Sequence, residues 1–146
     1  MPSRDTPRSF AGSCHCGAIE FSFATELSPE KWSVRACNCS FCSAHGARYT
    51  SDPCGEVRFS CADASNVGRY RFGQRTADFV HCLSCGSFLG AIMKSDRGTF
   101  SVINLNVFRA APEALPAPQR ISLSHESAHE RGARRETRWT PTVSDL

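Results

Sequence analysis

Seven cysteines fall into three tight groups: Cys14-His15-Cys16-Gly17, Cys37-Asn38-Cys39-Ser40-Phe41-Cys42 and Cys82-Leu83-Ser84-Cys85-Gly86. Cys54 and Cys61 stand apart. Thiolates are favoured ligands of structural zinc, which takes four donors in a tetrahedron. The first and third groups each offer two sulfurs and each end in glycine, which lets the backbone turn tightly around an ion. Two plus two makes a closed site. The middle group offers three sulfurs within six residues, one short of closure, and a zinc with one position open is the catalytic kind. Count and spacing alone permit other pairings. An iron–sulfur cluster is the alternative metal site, although the pairs do not follow ferredoxin spacings.

Other groups near these cysteines have chemical readings of their own. His45 lies three residues beyond Cys42 and could close the middle site, making it structural. His15 and His81 adjoin cysteines, and neighbours in sequence point away from a shared ion. His125 and His129 lie in a polar segment and read as solvated. Cys54 and Cys61 read as core thiols. Arg35 and Arg48 flank the middle group, and either could hold a substrate carboxylate through paired hydrogen bonds. Arg4, Arg8, Arg97, Arg131, Arg134, Arg135 and Arg138 read mostly as solvated.

Composition sets the context. The chain has 146 residues, nine cysteines and 40% hydrophobic residues, which suits one globular domain. An odd cysteine count fits a disulfide framework poorly. The polar start, Met1 to Ser9, lacks the apolar stretch of a secretory signal, so the expected location is cytoplasmic, with reduced thiols. The longest apolar run, Phe88 to Met93, is far short of a membrane span, so no membrane partner is expected. A net charge of +3 is too small to argue for nucleic acid. It would tolerate a small anion.

The elements that must position the cysteines read as short strands. Ile19, Phe21 and Phe23 alternate with polar residues. Val34–Ala36, Val57–Ser60, Tyr70–Phe72, Ala77–Val80, Ser87–Met93 and Phe100–Phe108 are further candidates. Ser28-Pro29 suggests a short helical turn and Asp52-Pro53-Cys54-Gly55 a tight turn. Pro112, Pro116 and Pro118 mark an extended connector. Residues 124–138 have weak helical potential, no long amphipathic helix is visible, and Trp139 could pin the tail. The predicted class is mostly β, small sheets organised around zinc. The expected boundaries are a flexible lead at 1–10, a single zinc-binding domain at 11–141 and a tail at 142–146.

These residues carry a family resemblance. Gly12-Ser13-Cys14-His15-Cys16-Gly17-Ala18-Ile19-Glu20-Phe21 resembles the opening motif of the glutathione-dependent formaldehyde-activating enzymes, also called the centromere protein V-like family. Cys37-Asn38-Cys39-Ser40-Phe41-Cys42 with Gly46 resembles the second motif. Tyr70, Phe72, Gly73 and Cys82-Leu83-Ser84-Cys85-Gly86 resemble the third. Asn38 stands where many members carry histidine, and Ser43-Ala44 where a basic pair often follows. The resemblance implies an Mss4-like β architecture and two zincs per chain. One would be structural, on Cys14, Cys16, Cys82 and Cys85; the other would be catalytic, on Cys37, Cys39 and Cys42. It implies a carbon–sulfur lyase acting on a small thiol such as glutathione and an aldehyde such as formaldehyde. The alternative expectation is a non-catalytic zinc module that meets a protein or nucleic acid through Arg131–Arg138.

Overall fold

The computed structural model describes residues 4–146, with side chains from residue 7 onward. Along the chain run β1 (Arg4–Ser13), β2 (Ile19–Leu27), a 3₁₀ turn (Pro29–Lys31), β3 (Arg35–Cys37), α1 (Ser40–His45), β4 (Tyr49–Thr50) and β5 (Glu56–Cys61). There follow β6 (Val67–Tyr70), β7 (Asp78–Cys82), β8 (Phe88–Ser95), β9 (Gly98–Asn104), β10 (Gln119–Ile121), α2 (Ala128–Arg138) and β11 (Thr140–Ser144). The fold is mostly β, as the alternating apolar runs predict.

The strands form two lobes joined by one strand. In the first, β1, β2 and β5 are antiparallel neighbours, and β11 lies parallel to β5 with Thr142 beside Val57. In the second, β6, β7, β8 and β9 are antiparallel in that order. The free side of β9 is shared between β4 at Ile103–Asn104 and β11 at Phe100–Ser101. Beyond β4 come β3 and then β10, the last pair parallel.

Two apolar clusters result. Alternation along β2 sends Ile19, Phe21 and Phe23 inward, where they meet Trp32, Val57, Phe59, Leu89, Ile103 and Leu105 between the lobes. The other cluster, with Tyr49, Ala77, Phe88, Ala91, Val102 and Trp139, covers the opposite face of the second lobe. β8 therefore buries both faces. At its centre Gly90 lies so near β9 that a Cβ would stand 2.3 Å from the Val102 carbonyl oxygen. Only glycine permits that approach.

Several expectations change. Arg4–Ser13 run as a strand where polarity suggested a loose lead: Phe10 packs edge-on against Trp32, centroids 4.9 Å apart. Residues 1–3 of that expected lead lie outside the described residues. The run predicted as a strand to Phe108 stops at Asn104, because Asn104 Oδ1 accepts the Asn106 amide at 3.1 Å and starts a 3₁₀ turn at Leu105–Val107. Residues 142–144, expected in the tail, belong to β11. The segment of weak helical potential contains an eleven-residue helix, α2. Ser127 accepts the Glu130 amide and Glu130 accepts the Ser127 amide, a capping box that offsets the poor apolar pattern. Cys54, expected in the core, is exposed in the Asp52–Gly55 turn, whereas Cys61 is partly buried against the first cluster.

Candidate metal centres and the cavity beside them

All nine cysteines are free thiols. Cys14, Cys16, Cys82 and Cys85 bring their sulfurs within 4.8 Å of one another, and Cys37, Cys39 and Cys42 do the same. The structure thus groups all seven as two plus two and three. In the quartet, Cys16 Sγ lies 3.7 Å from Cys14 Sγ and 3.6 Å from Cys82 Sγ. Zinc–sulfur bonds of about 2.3 Å in a tetrahedron space the sulfurs about 3.8 Å apart, which matches these two spacings. Two similar turns make the set. Gly17 and Gly86 sit at φ of 82° and 79°, and their amides donate to the Cys14 and Cys82 carbonyls at 3.1 and 2.8 Å. The Ile19 amide donates to Cys14 Sγ at 3.3 Å.

The trio is built by β3 and α1. Cys37 ends β3, Cys39 caps α1, and Cys42 lies one turn into it, its amide donating to Cys39 Sγ at 3.4 Å. Gly46 ends the helix at φ 57°. A hydrogen bond from Cys42 draws Cys37 down to about 5; burial opposes this, and the Cys39 amide and thiol reinforce it. Cys42 is pushed up by that same bond and by burial. Tyr49 Oη stands 3.0 Å from Cys42 Sγ. Burial above all, then the sulfurs, push the phenol up, so Tyr49 keeps its proton and would be the donor once a bound metal ion had made Cys42 a thiolate.

Among the described residues no histidine or carboxylate joins the trio. His45 is turned away: its ring packs on Phe41 at 4.4 Å, and Nδ1 lies 3.0 Å from the Phe41 carbonyl oxygen. His15 is exposed, and the His81 ring fills the space over Gly68. The three-donor set suits a borderline-soft ion such as zinc while leaving a coordination position for another molecule.

The trio opens into a cavity of about 400 Å³. Phe72, Phe79, Ala91, Val102 and Trp139 give it an apolar wall. Arg35, Arg131, Arg134 and Arg135 also line it, with no acidic residue among the lining groups. Arg48 does not reach it and donates instead to Asn106 at 3.1 Å. Three of the four arginines of α2 thus line the cavity, where the sequence reads them mostly as solvated. Their i, i+3, i+4 spacing sets them on one helix face, which packs over the second lobe. Glu126 anchors two of them: Arg134 donates to both its oxygens at 2.8 and 3.0 Å, and Arg131 to one at 3.4 Å. Arg135 is buried, stacks on Trp139 at 4.6 Å and donates to Thr76 at 2.8 Å. Arg35 donates to Ser33 and Ser51 at 2.6 and 2.8 Å. Burial and then neighbouring arginines pull Arg35 and Arg135 down to about 10, which leaves both charged at neutral pH. The sequence signals for this wall were the helical spacing of its arginines and the Ser127–Glu130 cap. Tyr49 left no signal, since it comes back to Cys42 through the turn after α1 and the pairing of β4 with β3 at Arg35, neither of which has a motif of its own.

A mostly β chain with a four-sulfur and a three-sulfur cluster defines a class, and the comparisons agree with it. The family model described as glutathione-dependent formaldehyde-activating enzyme matches residues 9–122, and the chain belongs to that family. A crystal structure of a Rhodobacter sphaeroides protein, a structural-genomics target, is 26% identical with a TM-score of 0.56, covering 76% of this chain and 99% of that one. No curated protein matches.

Proposed function

We propose that this chain is a carbon–sulfur lyase that adds glutathione to formaldehyde and splits the adduct in reverse. Cys37, Cys39 and Cys42 would hold a catalytic zinc, and Cys14, Cys16, Cys82 and Cys85 a structural one, within one zinc-binding unit. The observation that carries the reading is the trio itself, three sulfurs joined by no histidine or carboxylate among the described residues, at the wall of a cavity large enough for a small thiol. The family gives the substrates their names.

In the forward direction the thiol loses its proton and its sulfur bonds to the carbonyl carbon. The carbonyl π pair moves to oxygen, which takes a proton. Nothing is oxidised or reduced. A zinc ion bound at the trio would supply positive charge that favours thiolate over thiol and polarises a carbonyl. The chain does the rest. Tyr49 and the Cys42 amide fix two of the three sulfurs by hydrogen bonds. The apolar wall of Phe72, Phe79 and Trp139 limits water beside the reacting atoms. Orientation is the main contribution expected, because the uncatalysed addition is already easy.

The non-catalytic reading needs the basic segment Arg131–Arg138 as a contact surface. Arg131, Arg134 and Arg135 face the cavity, and two are tied to Glu126, which argues for a small ligand over a polymer. The test is adduct formation from glutathione and formaldehyde, followed by NMR with zinc-loaded protein and a folded Cys39→Ser control. Wild type should exceed the uncatalysed rate and the variant should not. Equal rates would remove the enzyme claim.

A further inference from the structure

The cavity wall holds four guanidinium groups and no acid. Glu126 accounts for Arg131 and Arg134. Two cations remain, and among the described residues neither is bonded to a carboxylate; Glu126 attracts Arg135 only through space. Arg35 meets only the hydroxyls of Ser33 and Ser51. Arg135, 7% exposed, meets the Thr76 hydroxyl and the Trp139 ring, while its Nε is buried with no hydrogen-bond partner at all. A buried guanidinium without an anion is costly, and one N–H left unmade adds to the cost. Such an arrangement is retained where a ligand completes it.

We infer that Arg35 and Arg135 make the wall of this cavity an anion-binding one, each offering its guanidinium to a carboxylate of the substrate thiol, so that the site selects acidic thiols over neutral ones. The naming of that anion rests on the function proposed above; the subsite itself does not. The placement fits. Arg35 is two residues from Cys37 on β3, and both face the same cavity as Cys39 and Cys42. The planar fork of arginine matches a carboxylate with two parallel hydrogen bonds. Anchoring an acidic end there would leave the sulfur to reach the trio. The arginines are therefore positioning residues that act on the thiol's affinity and orientation.

The test uses S-methylglutathione, which keeps both carboxylates but has no thiol to offer a metal. Calorimetry with zinc-loaded wild type should show binding, and Arg35→Gln and Arg135→Gln should each weaken it roughly tenfold or more. The dimethyl ester of the same compound should bind wild type as weakly as the free acid binds the variants. Arg135→Met should lose binding while its ligand-free thermal midpoint stays level or rises, since an unpaired buried charge is removed. A residue with a merely structural role would lower that midpoint. Arg35→Gln keeps the inference open to refutation should the position 135 variants fail to fold. Unchanged affinity in the folded arginine variants, equal binding of the ester, or tighter binding of inorganic phosphate than of S-methylglutathione would overturn the subsite. If binding behaves as expected and wild type gives no adduct above the uncatalysed rate, the proposed reaction falls and the subsite stands. If adduct forms and the variants keep the wild-type preference for glutathione over 2-mercaptoethanol, the subsite alone falls.

Discussion

Single side chains divide here by which cluster they serve. Cys14→Ser or Cys85→Ser removes a donor from a closed quartet that ties β1–β2 to β7–β8, and circular dichroism should report loss of the fold. Cys39→Ser lies at an open site, so its melting profile should stay close to wild type. Tyr49→Phe keeps the ring in the second apolar cluster and deletes only the hydroxyl beside Cys42. Its cost to folding should be about 1 kcal/mol. Its effect on metal is expected to be larger, roughly tenfold or more in the affinity of the trio, measured by competition with a chromogenic chelator. An unchanged affinity would mean that the phenol does not support the thiolate. The sulfurs were legible from sequence because spacing alone restricts what a Cys-x-Cys or Cys-x-x-Cys segment can hold. Tyr49 was not, because the turn after α1 and the short pairing of β4 with β3 that return it to Cys42 leave no spacing to read.

α2 is the element on which the wall of the cavity depends. Ser127 caps it, and Ser127→Ala should cost about 1 kcal/mol, read as a lower denaturant midpoint. Glu126 just before it is held below the ordinary glutamate range, chiefly by Arg134 and also by Arg131, with burial opposing. A carboxyl depressed in the folded state stabilises above its unfolded value of about 4.3, and that contribution fades as pH falls through the folded value. Stability should therefore decline on the acid side below about pH 4.3, and Glu126→Gln should flatten that limb while costing about 1–2 kcal/mol near neutrality. An acid limb identical in the variant would show that the Glu126 pairs contribute nothing. The helix was poorly legible because its buried face is made of arginine. A search for apolar periodicity passes over a stripe whose core-facing members are charged, although its Ser-x-x-Glu cap was present in the sequence. The strands of the second lobe were easier, since β-branched and aromatic residues mark them whatever they face.

For the molecule as a whole, the two clusters predict two classes of metal. Elemental analysis should give two zincs per chain. Graded chelation should strip the trio first with the fold intact, and the quartet later with unfolding. Simultaneous loss of both would contradict the division between open and closed sites. No helix among the described residues is long and apolar enough to cross a membrane. The mostly β class was legible from alternation, yet the way the lobes join was not, because β11 pairs with strands that lie about forty and eighty residues before it. That strand has a consequence for biosynthesis. While a ribosome is still translating residues 62 to 139, the edges of β5 and β9 destined for β11 stay open in the nascent chain. Exposed edges recruit other strands, so this interval is when misassembly between growing polypeptides is most favoured and when a holding chaperone would be of most use.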